Sequence, residues 1–263
     1  MQTSSAPHAR LKAAIVLLLA FTAGWVDAVG FIVLWKLFIA HMSGNSIAMT
    51  VYLGEGDWQH AFHRGFAIPC FLIGIGLGMV LNEVLLRRGV RSIFAFSLLL
   101  EAVLLTLFAL LTGLVNEPVT LPTTANWRFY GMAALPLLAM GLQNATLRRV
   151  AGTNVRTTYI SGVLTNCVEE CVKYLFWRRD QSIRQSAENK DLAGPRPSIA
   201  GILFLAGIWL GYATGGLLGS ITQSHSRLHC LDVPIGCLLV AIATDLVTPL
   251  AALVPKNESL RRD

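Results

Sequence analysis

Three carboxyl groups occur inside long apolar stretches of this sequence, where a charge is seldom found. Asp27, Glu101 and Asp245 each lie within such a stretch. An ionised side chain in a hydrocarbon environment costs on the order of 3 kcal/mol or more, so each carboxyl group needs a polar partner, a water-lined cavity or a proton. All three are therefore candidate ion- or proton-binding residues. For Asp27 the alternative is a structural anchor that bonds to irregular backbone nearby.

Two short turns of small and polar residues predict the starts of two helices. The first is Ser43-Gly44-Asn45 and the second is Ser161-Gly162. Serine is a favoured N-cap, and glycine lets another backbone approach closely. The exposed N–H groups of two such helix starts would favour an anionic or strongly polar solute. Ordinary capped turns at a membrane surface are the alternative.

Three further polar residues belong to the same candidate site. Gln143 and Asn144 lie in an apolar stretch, in a sequence context like that of Asp27. His41 adjoins the first turn and can titrate near neutral pH, although a lone histidine at an interface is more often a polar anchor.

The sequence contains no pattern typical of an enzyme or of a metal site. The five cysteines form no C-x-x-C pair, and there is no glycine-rich phosphate loop, zinc-binding pair or nucleophile elbow. We expect no catalytic residue, no metal, no cofactor and no enzyme activity. The net charge of +6 is explained by basic loops near anionic lipid, so nucleic acid is not an expected partner.

The elements that must position these residues follow from composition. Hydrophobic residues make up 54% of the chain and charged residues only 14%, whereas a soluble domain has about 25% charged residues. Six stretches of roughly 20 or more apolar residues can each cross a hydrocarbon core of about 30 Å. They are residues 13–35, 66–86, 92–114, 129–147, 199–220 and 231–253. The sequence therefore predicts an all-α membrane protein with six transmembrane helices.

Basic residues predict how these helices are oriented. If the six spans alternate in direction, 17 of the 21 Lys and Arg residues fall on the same side as both termini. Basic loops resist translocation, so that side is the cytoplasm. Both termini are then expected to be cytoplasmic.

Two further segments, residues 37–53 and 157–177, are not counted as spans. Eight full crossings would move the arginines at 87–91 and 148–156 to the outside and remove the charge bias. Each segment is therefore expected to be a re-entrant or half-membrane piece, or a helix at the interface. Residues 178–197 are expected to form a polar cytoplasmic linker.

Three ordered motif matches indicate an internal repeat. Residues 24–28 match 141–145, residues 42–44 match 160–162, and residues 71–78 match 204–211 at an offset of 133 with six of eight positions identical. Each half contains three crossings and a broken segment after its first span. An odd number of crossings inverts the second half, as in many secondary transporters. Small-residue stripes at Gly74–Gly78 and Gly207–Gly219 predict close helix crossings.

These features predict an order of segments along the chain. It consists of a cytoplasmic N-terminus (1–12), a first three-span repeat (13–114), an outer loop (115–127), a second three-span repeat (128–253) that includes the linker, and a cytoplasmic C-terminus (254–263).

Two blocks of sequence carry a likeness to a known family. The first block is 24–31 (GWVDAVGF) with 37–45 (LFIAHMSGN), and the second is 141–145 (GLQNA) with 157–162 (TTYISG). From about residue 13 to 253 the chain resembles the YoaK-like bacterial integral membrane proteins, a conserved domain of unknown function. Where that family commonly has Thr-Gly-Asn, this chain has Ser43-Gly44-Asn45, which keeps the hydroxyl. The resemblance implies a six-span fold in a bacterial inner membrane and does not indicate a substrate.

Two functions remain open at this point. The acidic residues favour a secondary transporter or channel for a small polar or anionic solute, coupled to protons through Asp27, Glu101 or Asp245. The alternative is a non-transporting membrane scaffold or sensor. Expected partners are the lipid bilayer, a small polar solute or a proton, and a second copy of the chain. For a transporter we predict that Asp27 and both serine-glycine turns line one polar cavity near the middle of the bilayer.

Overall fold

Every regular element in the described part of the chain is an α-helix. The computed structural model describes residues 6–114, 126–150, 160–184, 198–226 and 229–250. The helices, in chain order, are α1 (Ala6–Val33), α2 (Met42–Gly54), α3 (Trp58–Arg87), α4 (Ile93–Leu114), α5 (Trp127–Val150), α6 (Ile160–Arg184), α7 (Ile199–His225) and α8 (Asp232–Val247). The predicted all-α class is confirmed for these residues. Most of the predicted outer loop and linker, and the predicted C-terminal segment, lie outside them.

Four of these helices are long and apolar enough to cross a membrane. They cover His8–Val33, Trp58–Arg87, Ile93–Thr112 and Ile199–His225. The other two predicted spans also form helices, but α5 contains Gln143 and Asn144, and α8 has only 16 residues. A helix of that length extends roughly 24 Å, which is short of a hydrocarbon core of about 30 Å. The described residues therefore contain four such helices, fewer than the six that the sequence predicts.

The first predicted break lies between α1 and α2. Trp35 and Lys36 have φ angles of 54° and 57°, in the left-handed region that costs a non-glycine residue roughly 1–2 kcal/mol. We call residues 34–41, which connect the two helices, the link. Asn45 of α2 closes it, because its Nδ2 donates to the carbonyl of Phe38 at 2.6 Å and its Oδ1 accepts from the N–H of Phe38 at 3.1 Å.

The start of α2 differs from the predicted one. The N-cap is His41, which makes no side-chain cap bond, so Ser43 and Gly44 lie in the first turn. The prediction that Ser43 caps this helix is wrong, because the helix already begins at Met42 and Ser43 belongs to its first turn. Gly44 still permits a close approach, since a Cβ there would lie 3.0 Å from the ring of Phe38.

The second predicted break precedes α6, and residues 151–159 lie outside the described part of the chain. Helix α6 begins at Ile160, so Ser161-Gly162 lies in its first turn, and the helix continues to Arg184. The polar stretch predicted as a linker from residue 178 therefore begins on a helix.

Helices α1 and α7 pack closely through glycine. A Cβ at Gly24 would overlap the carbonyl oxygen of Tyr212, and a Cβ at Gly215 would overlap that of Phe21. Neighbouring contacts progress from Leu17 beside Gly207 to Trp25 beside Gly219. Because the residue numbers rise together on both helices, α7 runs parallel to α1.

Helices α3 and α5 form a second pair of the same kind. A Cβ at Gly74 would overlap the carbonyl of Leu138, and a Cβ at Gly141 would overlap that of Phe71. Further along both helices, Gly78 of α3 lies against Ala145 of α5. Helix α5 therefore runs parallel to α3, and the close crossings predicted from the glycine stripes are present in both pairs.

Gly74 and Gly76 provide a matched test of this packing. A Cβ at Gly76 meets nothing within 4 Å, although it lies only two residues from Gly74 on the same helix. We expect Gly74→Ala to lower the melting temperature of the purified protein, because α5 must move away. Gly76→Ala should leave it unchanged or raise it, since alanine is preferred over glycine in a helix by about 1 kcal/mol. Equal effects of the two substitutions would contradict the close α3–α5 contact.

Candidate functional site

Asp27 holds the link against the end of α1. The residue is 5% exposed and lies on α1, six residues before the helix ends. Its Oδ1 accepts hydrogen bonds from the backbone N–H groups of Ile39 at 2.6 Å and Ala40 at 2.9 Å. Hydrogen bonds to a charged group contribute about 1.5–3 kcal/mol each, which offsets the cost of the left-handed turn that precedes them.

The second oxygen of Asp27 joins two side chains from different parts of the chain. Oδ2 accepts from the hydroxyl of Tyr212 on α7 at 2.5 Å and from Nδ1 of His41 at 2.7 Å. The tyrosine oxygen lies 3.1 Å from the same histidine nitrogen. We call these three side chains the Asp27 cluster. It links a buried carboxylate to an imidazole that is 28% exposed.

Helix α3 holds the same turn from the other side. Nε2 of His63 donates to the carbonyl of Leu34 at 3.1 Å, and the guanidinium of Arg64 donates to the carbonyl of Lys36. Asp57 caps α3 by accepting from the N–H of His60 at 3.1 Å, and this bond lowers the pKa of Asp57. The left-handed turn is therefore anchored by α1 and α3 together.

A small pocket opens beside the Asp27 cluster. It has a volume of about 250 Å³ and is lined by Gly24, Asp27, Ala28, Phe31, Ile32, Phe38, Tyr212, Gly216 and Ser220. Its walls come from α1, the link and α7, and they are apolar except near Asp27, Tyr212 and Ser220. This volume is below the range of about 300–1,000 Å³ for pockets that bind drug-sized ligands, so the pocket suits only a small solute.

A larger pocket of about 680 Å³ lies between α3 and α5. Its lining residues are Met79, Val80, Asn82, Glu83, Val84, Arg87 and Ala145. Asn82 is buried and its Oδ1 accepts from the hydroxyl of Ser97 at 2.7 Å, while its Nδ2 has no hydrogen-bond partner among the described residues. An amide donor therefore lies at this pocket without an acceptor in the part of the chain that the structure describes.

The three acidic residues singled out in the sequence have different surroundings. Asp245 is buried and bonds to the first turn of α4, because its Oδ2 accepts from the N–H of Ala95 at 2.8 Å and its Oδ1 from that of Leu250 at 2.9 Å. Like Asp27, it accepts hydrogen bonds from two backbone N–H groups. Glu101 is fully buried in α4, and neither of its carboxyl oxygens has a partner in the described part of the chain.

The remaining predicted residues are not gathered at one place. Gln143 donates from Nε2 to the carbonyl of Leu19 in α1 at 3.1 Å, and the half-buried Asn144 follows it on α5. Helix α2 packs on α3, whereas α6 packs on α7. No lining residue of the pocket beside Asp27 comes from α6. That pocket therefore does not include Ser161-Gly162, although the sequence predicts that Asp27 and this turn line one cavity. The two serine-glycine turns therefore belong to different helices, α2 and α6, which pack against different neighbours, α3 and α7.

Two partners were missed by the sequence analysis. Tyr212 lies 185 residues from Asp27, and a tyrosine in an apolar helix is usually an ordinary packing residue. Asn82 lies near the end of a long apolar helix, where a polar residue is common. The sequence signal for Tyr212 is a hydroxyl group between Gly211 and Gly215, and the signal for Asn82 is an amide inside a predicted span.

The bond from Tyr212 to Asp27 can be tested with a matched pair of tyrosines. Tyr212→Phe removes one donor from a buried carboxylate, so we expect it to reduce the free energy of unfolding by about 1–3 kcal/mol. Tyr52→Phe on α2 is the control, because Tyr52 contacts His60 through its ring, which phenylalanine retains. Unfolding of the purified protein would be followed by helix signal. If Tyr212→Phe is no worse than Tyr52→Phe, the hydroxyl contributes nothing to the cluster.

Comparisons with known proteins agree with the resemblance seen in the sequence. The chain is 24% identical over 169 residues to the UPF0700 transmembrane protein YoaK of Bacillus subtilis (strain 168), covering 62% of this chain and 69% of that protein. No solved structure matches the chain. The model of the family described as "Protein of unknown function (DUF1275)" matches residues 15–244. The chain therefore belongs to this DUF1275 family and is a multi-pass membrane protein.

Proposed function

We propose that this protein is a secondary transporter for a small polar solute, with six spans and both termini in the cytoplasm of a bacterial cell. The observation that carries the proposal is the pocket beside the Asp27 cluster. There, a buried carboxylate inside a membrane helix is bonded to an imidazole that is 28% exposed, and both lie beside a space of about 250 Å³. Ionisable groups within membrane helices commonly mark solute and proton pathways.

The helix directions support six crossings. If only the four most apolar helices crossed, α7 would be the fourth span and would run antiparallel to α1, the first. The glycine contacts make α7 parallel to α1 and α5 parallel to α3. Parallel α1 and α7 are consistent with a further crossing by α5 between α4 and α7. Helix α8 then returns the chain to its starting side, which the basic residues assign to the cytoplasm.

The helix contacts also support an inverted repeat. If α1 is exchanged with α5 and α3 with α7, the contact of Gly24 with Tyr212 becomes that of Gly141 with Phe71. The contact of Gly215 with Phe21 likewise becomes that of Gly74 with Leu138. In both cases, the equivalent residues of α1 and α5 differ in number by 117, as in the predicted motif match. The equivalent residues of α3 and α7 differ by 141.

The second offset corrects the predicted register. The octets 71–78 and 204–211 match at an offset of 133, whereas the contacts match α3 to α7 eight residues further on. The contact register aligns Gly74 with Gly215 and Asn82 with Gln223, which are both buried. Glycine- and leucine-rich helices match in several registers, and the close crossings select one of them.

The two pockets support alternating access. One is built by α1, the link and α7 and the other by α3 and α5, so the same exchange relates the two helix pairs that line them. In an inverted repeat, the equivalent ends of α1 and α5 lie at opposite membrane faces. The two pockets would then open towards opposite sides and serve as outward and inward half-sites.

The Asp27 cluster also limits the solute. A carboxylate at the pocket floor attracts a cation or a hydrogen-bond donor and repels an anion unless His41 is protonated. A neutral polar or cationic solute therefore fits this pocket better than the anionic solute considered from the helix starts. No catalytic step is assigned to the chain in this proposal.

One observation favours a non-transporting scaffold or sensor. All four hydrogen bonds to the Asp27 carboxylate come from the protein itself, as expected for a purely structural anchor. The two functions differ in whether any solute flux exists.

Transport can be tested with the full chain in sealed proteoliposomes. A pH-sensitive dye inside would report proton movement while a panel of small neutral, cationic and anionic solutes is added outside. We expect a cationic or neutral polar solute to drive proton flux in the wild type and Asp27→Asn to abolish it, because the amide keeps the shape and loses the charge. Asp180→Asn on the exposed surface of α6 is the control. Absence of flux with every solute would favour the scaffold, and unchanged flux in Asp27→Asn would remove the Asp27 cluster from the pathway.

A further inference from the structure

Among the described residues, Glu101 is the one buried acid whose carboxyl oxygens have no hydrogen-bond partner. It is the ninth residue of α4, about 12 Å from the start of that helix at 1.5 Å per residue, so it lies well inside the span. The side chain is 0% exposed, and neither carboxyl oxygen accepts or donates a hydrogen bond within the described residues.

The surroundings of Glu101 differ from those of the other two buried acids. Asp27 and Asp245 each accept hydrogen bonds from two backbone N–H groups, which stabilises an ionised carboxylate. A glutamate held only for packing gains nothing from its carboxyl group, because burying a polar group without a hydrogen bond is unfavourable. The chemistry of a carboxyl group in such a place is the uptake and release of a proton.

No described charge on the helices packed against α4 neutralises Glu101. Helix α4 contacts α3, α5 and α8. On α3, Glu83 and Arg87 bond to each other at 3.0 Å on the exposed surface. On α5, Arg128 is exposed at the first turn. On α8, Asp232 is paired with His229 at the exposed start, and Asp245 bonds to the first turn of α4.

Another unpaired polar atom lies on a helix that packs against α4. Helix α5 packs on α4, and Oε1 of Gln143 on α5 is buried and has no hydrogen-bond partner among the described residues. Both helices therefore carry a buried polar side chain with unused hydrogen-bonding capacity.

We propose that Glu101 is a protonation site in the membrane interior that carries the coupled proton. It is neutral while α4 is packed against α5 and α8. When these helices separate and water enters from one face, the carboxyl O–H bond breaks, the proton passes to a water molecule as hydronium, and a carboxylate remains. A metal cation is not the expected occupant, because the described residues contain no group of three or more His, Cys, Asp or Glu side chains that could hold one.

The protonation state can be measured without any transport assay. Infrared spectra of the purified full chain would be recorded near neutral pH, where an exposed glutamate is ionised. We expect the wild-type minus Glu101→Gln difference spectrum to contain the C=O stretch of one protonated carboxyl group. Glu101→Asp should retain such a band at a shifted frequency, which provides a second variant if Glu101→Gln does not fold. Absence of a protonated band in the wild type would overturn the proposal.

The coupling role rests on the proposed transport function and has a separate test. In proteoliposomes, we expect Glu101→Gln to reduce solute-driven proton flux to the level of protein-free vesicles while exchange of labelled solute for unlabelled solute continues. Proton flux that persists in Glu101→Gln would overturn the coupling role and leave transport intact. If the wild type moves no solute, transport and the coupling role both fail, and the infrared band still decides whether Glu101 is a protonation site.

Discussion

The bonds from Asp27 to the N–H groups of Ile39 and Ala40 fix the geometry on which the site depends. Two consecutive non-glycine residues in the left-handed region turn the chain back over the end of α1, and this conformation needs compensation from elsewhere. The carboxylate supplies it while satisfying backbone donors that have no helical partner. Tyr212 then ties the same carboxylate to α7, so the position of the link depends on the α1–α7 contact.

That contact in turn depends on the absence of side chains. Gly24 and Gly215 bring the backbones of α1 and α7 together, as small residues commonly do between membrane helices. The hydroxyl of Tyr212 reaches Asp27 only because the helices lie this close. The glycine contacts also give the two helices the same direction, and this direction supports the proposed fold. Hydropathy supports that fold less strongly, because α8, with 16 residues, is short for a membrane-spanning helix.

The sequence was sufficient to predict the helical class and the break after α1, because both follow from local composition. It was not sufficient to separate the roles of the acids. Asp245 and Glu101 look alike in the sequence, yet one bonds to the start of α4 and the other has no partner in the described residues. Their difference comes from contacts between distant parts of the chain, as does the role of Tyr212. The register of the proposed repeat cannot be read from the sequence for a related reason, since several alignments of glycine-rich helices are similar in sequence and only packing distinguishes them.

Hydrogen–deuterium exchange at the link tests most directly whether Asp27 holds it in place. In Asp27→Ala, which removes both acceptor oxygens, the amides of Ile39 and Ala40 should exchange much faster than in the wild type. Amides in the middle of α3 should remain protected, which shows that the protein is folded. Asp27→Asn keeps one acceptor oxygen and should give intermediate exchange. Unchanged protection of Ile39 and Ala40 in a folded Asp27→Ala protein would contradict this account.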